Sequence, residues 1–350
     1  MDRHLTRLLQ RWFARAARDL PWRRRRSPYR ALVAEAMLQQ TQVARVVGSY
    51  QPFLKRFPTP AALAAADEQQ VLAAWQGLGY YRRARHLHEA ARMIISEFNG
   101  RVPEALDDLL RLPGVGRYTA GAIASIVFGR PEPAVDGNVQ RVLARWHARS
   151  DPPQDRAMIA WCWRRAEELV RQAACPAAFN EALMELGAMI CTPRAPKCRR
   201  CPVAELCEAR RRGLEETIPS PRPVPARPAV HHHAVLILRG GKMLLEQRPP
   251  AGLWAGMWQA PTIESKRILQ AGEIRRALPI LVNGLRKLGT FEHNTTHRRI
   301  TFHVYVARTR GRRGRRGRRG RGGEWRVPDD LRDLPMSNAQ RRVLHLLQDY

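Results

Sequence analysis

An acidic side chain in an apolar setting is the first residue of the chain that could carry out chemistry. Glu35 is the only charged residue between Arg30 and Arg45, and the positions three and four residues away hold Ala, Leu, Leu and Gln. On a helix these positions share one face, so the Glu35 carboxyl is predicted to be buried. Burial raises the pKa of a carboxyl, which lets it hold a proton and donate it at neutral pH. The alternative is a structural Glu paired with one of the many Arg residues.

A glycine turn followed by a second acid gives another candidate site. Gly114, Val115 and Gly116 form a tight turn, because only Gly takes a positive φ without a steric penalty. The turn leads into a predicted helix at 117–128, whose first backbone N–H groups could hold a phosphate. Asp136 follows that helix and begins another. Asp is a preferred N-cap residue, so Asp136 could cap a helix, act in catalysis, or do both.

Four cysteines lie close together near the middle of the chain. Their spacing is C-x6-C-x2-C-x5-C, without any His between them. Four thiolates suit either a structural zinc ion or a [4Fe–4S] cluster, and spacing alone does not distinguish the two. Zinc ribbons usually pair two C-x2-C knuckles, whereas this segment has one, which favours the iron–sulfur cluster. The predicted ligands in the loop 191–207 are Cys191, Cys198, Cys201 and Cys207.

The charge balance indicates a polyanionic partner. The chain of 350 residues has a formal net charge of +30, and 30 − 8 = +22 remains without the eight Arg of the Arg/Gly-rich segment 310–323. Such an excess is typical of nucleic-acid-binding proteins. No apolar run reaches the roughly 18 residues of a membrane span. We therefore expect a soluble, intracellular protein that binds a nucleic acid and not a membrane.

The order of predicted elements indicates two domains. Residues 1–214 are mainly α-helical, 215–228 form a Pro-rich linker, and 229–350 form a smaller α+β domain carrying the Arg/Gly-rich insert at 310–323. In the α+β domain, His231, His232 and His233 are predicted to alternate across a sheet. The predicted helices are 1–19, 29–47, 61–75, 82–98, 103–110, 117–128, 139–148, 157–171, 179–190 and 330–350.

Taken together, these motifs resemble the adenine DNA glycosylase family, the MutY branch of the helix–hairpin–helix, endonuclease III-like superfamily. The resemblance covers about residues 5–308 and the terminal helix, and the order of the motifs makes it specific. The matching segments are Leu20-Pro21-Trp22-Arg23, 35–42 (EAMLQQTQ), 77–81 (GLGYY), 112–116 (LPGVG), Val135-Asp136-Gly137-Asn138, Phe179-Asn180-Glu181, 186–191 (LGAMIC), the cysteine loop, and 247–254 (QRPPAGLW).

The resemblance implies a two-lobed helical glycosylase domain with one [4Fe–4S] cluster, joined to a Nudix-like domain. It implies removal of adenine mispaired with 8-oxoguanine or guanine in duplex DNA. Glu35 would protonate adenine at N7, Asp136 would stabilise or attack the sugar, and Asn138 would hold Asp136. The adenine pocket would contain Trp22, Arg23 and Glu181. DNA contacts would come from Gln39, Gln40, Thr41, Tyr80, Gly114, Val115, Gly116, Thr296 and His297.

Two departures from the family pattern bear on the reaction. Bifunctional relatives carry a Lys at the position of Tyr118, and a phenol cannot form a Schiff base. Tyr118 therefore predicts a monofunctional glycosylase, and Gln140 removes a second Lys that some members carry. The family's Phe-Ser-His loop is Thr295-Thr296-His297 here, so the apolar wedge is lost while a hydroxyl remains.

Other functions stay open on the sequence. A bifunctional endonuclease III-like glycosylase with lyase activity is the nearest enzymatic alternative, and a non-catalytic DNA-damage-binding protein is another. A Nudix hydrolase needs a Glu-rich metal-binding helix, whereas the corresponding segment has only Glu264 and Glu273. We expect a monomer, located in the cytoplasm with the nucleoid in a bacterium, or in the nucleus or mitochondrion in a eukaryote.

Overall fold

The computed structural model describes residues 2–220, 226–309, 323–331 and 334–348. These residues divide into two compact units. The first comprises residues 2–65 and 82–220, and the second comprises 66–81 and the described residues from 226 onward. The centre of the predicted linker and residues 310–322 of the Arg/Gly-rich insert lie outside the described residues.

The first unit is α-helical, and the second contains α6, α14 and α15. Two 3-10 turns lie in the cysteine loop, and a third follows the last strand. No helix among the described residues is long and apolar enough to cross a membrane. The helices are α1 Asp2–Ala16, α2 Pro21–Arg24, α3 Pro28–Leu38, α4 Val43–Arg56, α5 Pro60–Ala64, α6 Glu68–Ala74, α7 Arg82–Glu97, α8 Leu106–Arg111, α9 Arg117–Ile126, α10 Gly137–Trp146, α11 Arg156–Arg171, α12 Pro176–Met189, α13 Glu208–Arg211, α14 Ala271–Ala277 and α15 Asn338–Gln348.

Three of the predicted helices are wrong in extent. The helix predicted at 29–47 is divided into α3 and α4, because Gln40 takes a left-handed backbone conformation with φ 54°. The helix predicted at 61–75 is divided into α5 and α6, because Asp67 forms a capping box with Gln70 and starts a new helix. The terminal helix begins at Asn338, not at 330.

The core that supports the candidate site lies between four helices of the first unit. Leu5, Leu9 and Phe13 of α1 are buried with apolar residues of α10, α11 and α12. Cys162 is completely buried in this core, as expected for a structural thiol. The amphipathic α1 therefore closes the core against α12, the helix that carries Glu181.

The second unit is built on a seven-stranded sheet whose main strand order is β3-β2-β1-β6-β5. β1 and β6 are parallel and pair along their whole length, while β1 and β2 form the predicted hairpin with Leu238 opposite Met243. Gly240 and Gly241 both have positive φ, which suits a two-residue hairpin turn. The strands are β1 Ala229–Arg239, β2 Lys242–Gln247, β3 Trp258–Gln259, β4 Thr262–Ser265, β5 Asn283–Asn294, β6 Arg299–Arg308 and β7 Glu324–Arg326.

Both faces of the sheet are apolar and each is covered by a helix. Ala234 and Leu236 of β1 pack in one cluster with residues of α15, and Val235 and Ile237 pack in a second cluster with Ile274 of α14. The three histidines follow the same alternation. His232 contacts Phe302 on the α15 side, whereas His231 and His233 contact His303. The predicted alternation of the histidines is confirmed.

Candidate active site

Glu35 lies in the third turn of α3, on the buried face that the sequence predicts. Ser27 accepts a hydrogen bond from Arg30 N at 3.2 Å and Pro28 occupies the first turn, so a capped Ser-Pro start fixes where the helix begins. The Glu35 side chain is buried, and its Oε2 has no hydrogen-bond partner among the described residues. The pKa of Glu35 is raised to about 7, mainly by burial; the Tyr118 hydroxyl opposes this rise, and the charges of Asp136 and Glu181 add to it. No ion pair with Arg is formed by Glu35 among the described residues, so the carboxyl is suited to carry a proton.

Asp136 is the N-cap residue of α10. Its Oδ1 accepts from Val139 N at 2.7 Å, and its Oδ2 accepts from Asn138 Nδ2 at 3.2 Å. Burial raises the pKa of Asp136, while the bonds from Val139 and Asn138 lower it. The predicted helix cap does not exclude the predicted catalytic role. The Asp136 carboxylate caps α10 and is still near enough to Glu35 to raise its pKa.

Arg141 holds Asn138 in place from one turn further along α10. Its Nη2 donates to Asn138 Oδ1 and to Gly187 O, both at 2.8 Å, and its Nε donates to Cys191 O at 2.9 Å. Because the amide oxygen of Asn138 faces Arg141, the amide nitrogen must face Asp136. The orientation of Asn138 is thus fixed by the end of α12 and the first residue of the cysteine loop.

Tyr118 lies beside both carboxyls. Burial raises its pKa well above the usual value, and the charges of Glu35 and Asp136 raise it further. Its hydroxyl donates to Met184 Sδ at 3.1 Å. At neutral pH the position therefore holds a neutral phenol, which cannot act as an amine nucleophile.

Two buried glutamates of α12 are bound by partly buried arginines of α2 and of the segment before it. Arg23 Nε donates to Glu181 Oε1 at 3.2 Å, and Arg23 Nη2 donates to Glu185 Oε2 at 3.1 Å. Arg18 binds Glu185 through Nε and Nη2 at 2.7 and 2.8 Å. Although burial opposes ionisation, these bonds bring the pKa of Glu185 to about 2. Trp22, the other predicted pocket residue of α2, packs edge-on against Tyr50 with ring centroids 5.7 Å apart.

Sequence reasoning assigned no structural role to two residues of this region. Glu185 is four residues after Glu181 on an apolar helix, which was the available signal for a second buried acid. Asn180 is completely buried, and its Nδ2 donates to Ser125 Oγ and Glu132 O at 2.8 Å each. Asn180 therefore fixes the segment that leads to Asp136.

The glycine turn differs from the prediction in two respects. Gly114 has φ 78°, but Gly116 is extended with φ −93° and is the N-cap of α9, so only Gly114 needs the freedom of glycine. The N–H of Val115 donates to Leu112 O at 3.0 Å and its side chain is buried, so Val115 is not available to a phosphate. The first N–H groups of α9 have no helical acceptor and remain candidates for phosphate binding.

In the second unit, the predicted DNA-contacting residues Tyr80 and Thr296 contact each other. Their hydroxyl oxygens are 2.7 Å apart. Thr296 and His297 are exposed in the four-residue turn between β5 and β6, which is closed by Thr295 N donating to Arg298 O at 2.9 Å. Tyr80 is about half exposed and has φ 46°.

The four predicted cysteine ligands are gathered around one pocket. All four are unpaired and half-buried, and they line the pocket together with Arg145, Ala204 and Glu215. Arg145 is buried and its Nη1 donates to Cys191 Sγ at 3.3 Å. Among the described residues, no three His, Cys, Asp or Glu side chains converge as a single metal ion would require.

The close contact of Gly187 with Asn138 leads to a prediction. A Cβ on Gly187 would lie 2.8 Å from Asn138 Cβ and 3.2 Å from Asn138 O. Gly187→Ala should therefore displace Asn138 from Asp136 and lower the single-turnover rate of base release by about tenfold or more, with a loss of about 1–3 kcal/mol in the free energy of unfolding. Gly48→Ala is the matched control, because Gly48 is also helical and has nothing within 4 Å of its Cβ position. An unchanged rate in Gly187→Ala would show that the placement of Asn138 does not matter.

Comparison with known proteins identifies the family of each part of the chain. Residues 33–168 match the model of the HhH-GPD superfamily base excision DNA repair proteins, and residues 233–346 match the NUDIX domain model. A solved thermostable thymine-DNA glycosylase is 31% identical with a TM-score of 0.56, covering 60% of this chain and 97% of that one. A trapped endonuclease III–DNA covalent intermediate is 25% identical with a TM-score of 0.52, covering 61% of this chain and 96% of that one.

The comparisons also include full-length relatives. The human protein named adenine DNA glycosylase is 36% identical, in an alignment that covers 96% of this chain and 72% of that protein. The predicted fold class and the predicted family are both confirmed. The chain belongs to the adenine DNA glycosylase family, and it is a DNA-binding base excision repair enzyme that acts on N-glycosyl bonds.

Proposed function

We propose that the protein is a monofunctional glycosylase that hydrolyses the N-glycosidic bond of adenine mispaired with 8-oxoguanine or guanine in duplex DNA. One observation carries the proposal. The buried Glu35 carboxyl has a pKa of about 7 and an unpartnered Oε2, and the Asp136 carboxyl, which accepts two hydrogen bonds, is near enough to raise that pKa. An acid that holds its proton beside a carboxylate that is hydrogen-bonded for ionisation is the pair that glycoside hydrolysis needs.

The reaction begins with adenine turned out of the base stack, since no protein group reaches the glycosidic bond inside a duplex. Glu35 gives its proton to N7, so adenine leaves as a neutral base when the bond between its N9 and the sugar C1′ breaks with both electrons. The Asp136 carboxylate stabilises the oxocarbenium-like sugar by its charge. Water then adds its oxygen to C1′, and its released proton restores Glu35. Asn138 keeps Asp136 aimed at the sugar throughout.

The adenine pocket is proposed to contain Trp22, Arg23 and Glu181. Arg23 of α2 is bound by both Glu181 and Glu185 of α12, so its guanidinium has a fixed position between the two helices. Glu181 also accepts from Arg26 Nη2 at 2.8 Å. Such a rigid charged wall can orient a flipped base by hydrogen bonds while Trp22 offers it an apolar face.

The remaining DNA contacts are proposed separately for each unit. In the first unit, Gln39, Gln40 and Thr41 would contact the base opposite adenine, and Gly114 and Gly116 would approach the phosphate backbone at the start of α9. In the second unit, Tyr80, Thr296 and His297 would contact DNA, with the hydroxyl of Thr296 in the role of the family's Ser. The strongly basic composition supports binding along the backbone.

The proposed cofactor is one [4Fe–4S] cluster on Cys191, Cys198, Cys201 and Cys207. The four sulfurs share one pocket, and their spacing has a single C-x2-C knuckle, which favours a cluster over a zinc ribbon. When bound, the cluster would tie the cysteine loop together and take no part in breaking the glycosidic bond. Arg145 and Arg141 would connect that loop to α10.

Loss of one cysteine ligand should remove the cluster. Cys198→Ser should abolish the visible absorbance and the bound iron and sulfide of anaerobically purified protein, because a hydroxyl replaces a thiolate ligand. Cys175→Ser is the matched control, since Cys175 is exposed and lies outside the loop, and it should keep the iron content of the parent. Parent protein that contains zinc and no iron would contradict the proposed cofactor.

We also propose that the domains are 1–214 and 229–350, joined by the Pro-rich segment 215–228, and that the protein acts as a monomer. The enzyme would work where its DNA is, in the cytoplasm of a bacterium or in the nucleus or mitochondrion of a eukaryote.

The Nudix-like domain is proposed to recognise the mismatch and not to hydrolyse nucleotides. Both acids of its candidate helix segment are already engaged, Glu264 by Arg248 at 2.8 Å and Glu273 by Arg267.

The monofunctional reaction is tested by strand breakage. A duplex with adenine opposite 8-oxoguanine should yield breaks only after alkali treatment, because Tyr118 supplies no amine for a Schiff base. A bifunctional enzyme would instead give breaks before alkali and an adduct trapped by borohydride, and that result would reject the monofunctional assignment. A protein that binds the mismatch but leaves no alkali-labile site would support the non-catalytic alternative.

A further inference from the structure

The break between α3 and α4 has an unusual backbone. Gln40 is exposed and has φ 54°, a left-handed conformation that costs a non-glycine residue about 1 kcal/mol. Such a conformation persists only where the surrounding structure holds it. Residues 39–42 are neither Gly nor Pro, so the restraint must come from elsewhere in the fold.

The contacts of Arg83 account for this restraint. Arg83 is in the first turn of α7 and is 9% exposed. Its Nη1 donates to Ala36 O and Met37 O at 2.8 Å each and to Gln39 O at 2.5 Å. These carbonyls lie at the C-terminal end of α3. There the last C=O groups of a helix receive no hydrogen bond from within the helix, and the helix dipole is negative. One guanidinium therefore closes the helix that carries Glu35.

Arg83 also reaches beyond the helix end. Its Nη2 donates to Thr41 Oγ1 at 2.9 Å, on the far side of Gln40. On the near side, Gln39 Nε2 donates to Gly114 O and to Thr119 Oγ1 at 3.3 Å each. Both neighbours of Gln40 are thus anchored, whereas the Gln40 side chain is exposed.

We propose that Arg83 is a positioning residue for recognition of the base opposite the excised adenine, and that it acts through Thr41. This inference rests on the proposed function, in which Gln40 and Thr41 contact that base. The bonds to the carbonyls stabilise α3, while the bond to Thr41 fixes the loop. The two contributions can be separated by Arg83→Lys. A lysine ammonium can still donate to the carbonyls of α3, but it is too compact to reach Thr41 at the same time.

The experiment measures selectivity as the ratio of single-turnover rates of adenine release opposite 8-oxoguanine and opposite guanine. Arg83→Lys should lower this ratio by about tenfold, the effect of one hydrogen bond to a charged group. Thr41→Val, which removes the acceptor at nearly constant shape, should lower it by at least the same factor. The double variant should show no larger loss than Thr41→Val alone, because the bond from Arg83 is already absent in that variant.

Two further variants separate positioning from a general effect of replacing an arginine or a threonine. Thr41→Ser keeps a hydroxyl that can accept from Arg83 and should lose less of the ratio than Thr41→Val. Arg92→Lys changes an exposed Arg of the same helix, whose Nε donates to Ala64 O at 3.4 Å, and should keep the parent ratio. Melting temperatures within a few degrees of the parent would show that the variants keep the fold, so that a change in the ratio reports positioning.

The outcomes distinguish this inference from the proposed function. A parent protein that releases no adenine from either duplex defeats the proposed function and this inference with it. An active parent whose ratio is unchanged in Arg83→Lys overturns the inference alone. Losses that add in the double variant also overturn it, since Arg83 would then not act through Thr41.

Discussion

Asp136→Asn should release adenine about a thousandfold more slowly than the parent protein in single-turnover experiments, because the sugar would lose the charge that stabilises its transition state. The substitution is conservative for the fold. Asn is as good an N-cap residue as Asp, so the bond from Val139 N can be kept. The melting temperature should therefore change little, although the rate of adenine release falls strongly. Substrate affinity, measured by a mobility shift, should be retained.

The matched control for this substitution is Asp155→Asn. Asp155 caps α11 in the way that Asp136 caps α10, with Met158 N donating to its Oδ1 at 2.8 Å. Its replacement should leave the rate unchanged. If Asp136→Asn cleaves as fast as Asp155→Asn, the carboxylate is only a helix cap and the catalytic assignment is wrong.

Glu35→Gln should also lower the rate by about a thousandfold, because an amide cannot protonate adenine. In the parent, the rate should fall by about tenfold per pH unit above the Glu35 pKa of about 7, where the acid loses its proton. It should fall again in acid as Asp136, whose pKa is raised above its usual value, becomes protonated. The residual rate of Glu35→Gln should lack the alkaline limb.

Stability gives an independent measurement on the same variant. The pKa of Glu35 is raised in the folded state, so the pH-dependent cost of ionising it is absent below the unfolded pKa and grows to about 3 kcal/mol at pH above 7. Glu35→Gln should thus be more stable than the parent at pH 8 and equally stable near pH 4. Glu104→Gln, a change in an exposed acid, should alter neither rate nor stability. An alkaline limb that persists in Glu35→Gln would assign the proton to another group.

The surroundings of the two proposed catalytic acids were predictable, because the local sequence pattern decides them. A lone charge on an apolar helical face must be buried, and Glu35 is. An Asp before an amphipathic helix must cap it, and Asp136 does. The grouping of the four cysteines was predictable for the same reason, because all four lie within one short loop.

The arginines that position the proposed site were not predictable, because the residues they bind are distant in the sequence. Arg83 contacts Ala36 from 47 residues away, and Arg18 contacts Glu185 from 167 residues away. Any of the many arginines could have filled these positions, and no spacing rule selects among them. The break at Gln40 was missed for the same reason, as it depends on tertiary contacts and not on Gly or Pro. The break at Asp67 did have a local signal, the capping box with Gln70.

The most direct test is release of labelled adenine by the parent protein, in single turnover, from three duplexes that differ only in the base opposite adenine. We expect fast release opposite 8-oxoguanine, slower release opposite guanine, and none opposite thymine. The Asp136→Asn variant should release adenine from none of them at a comparable rate. Absence of release opposite 8-oxoguanine, or equal release opposite thymine, would contradict the assignment of this protein as a mismatch-specific adenine glycosylase.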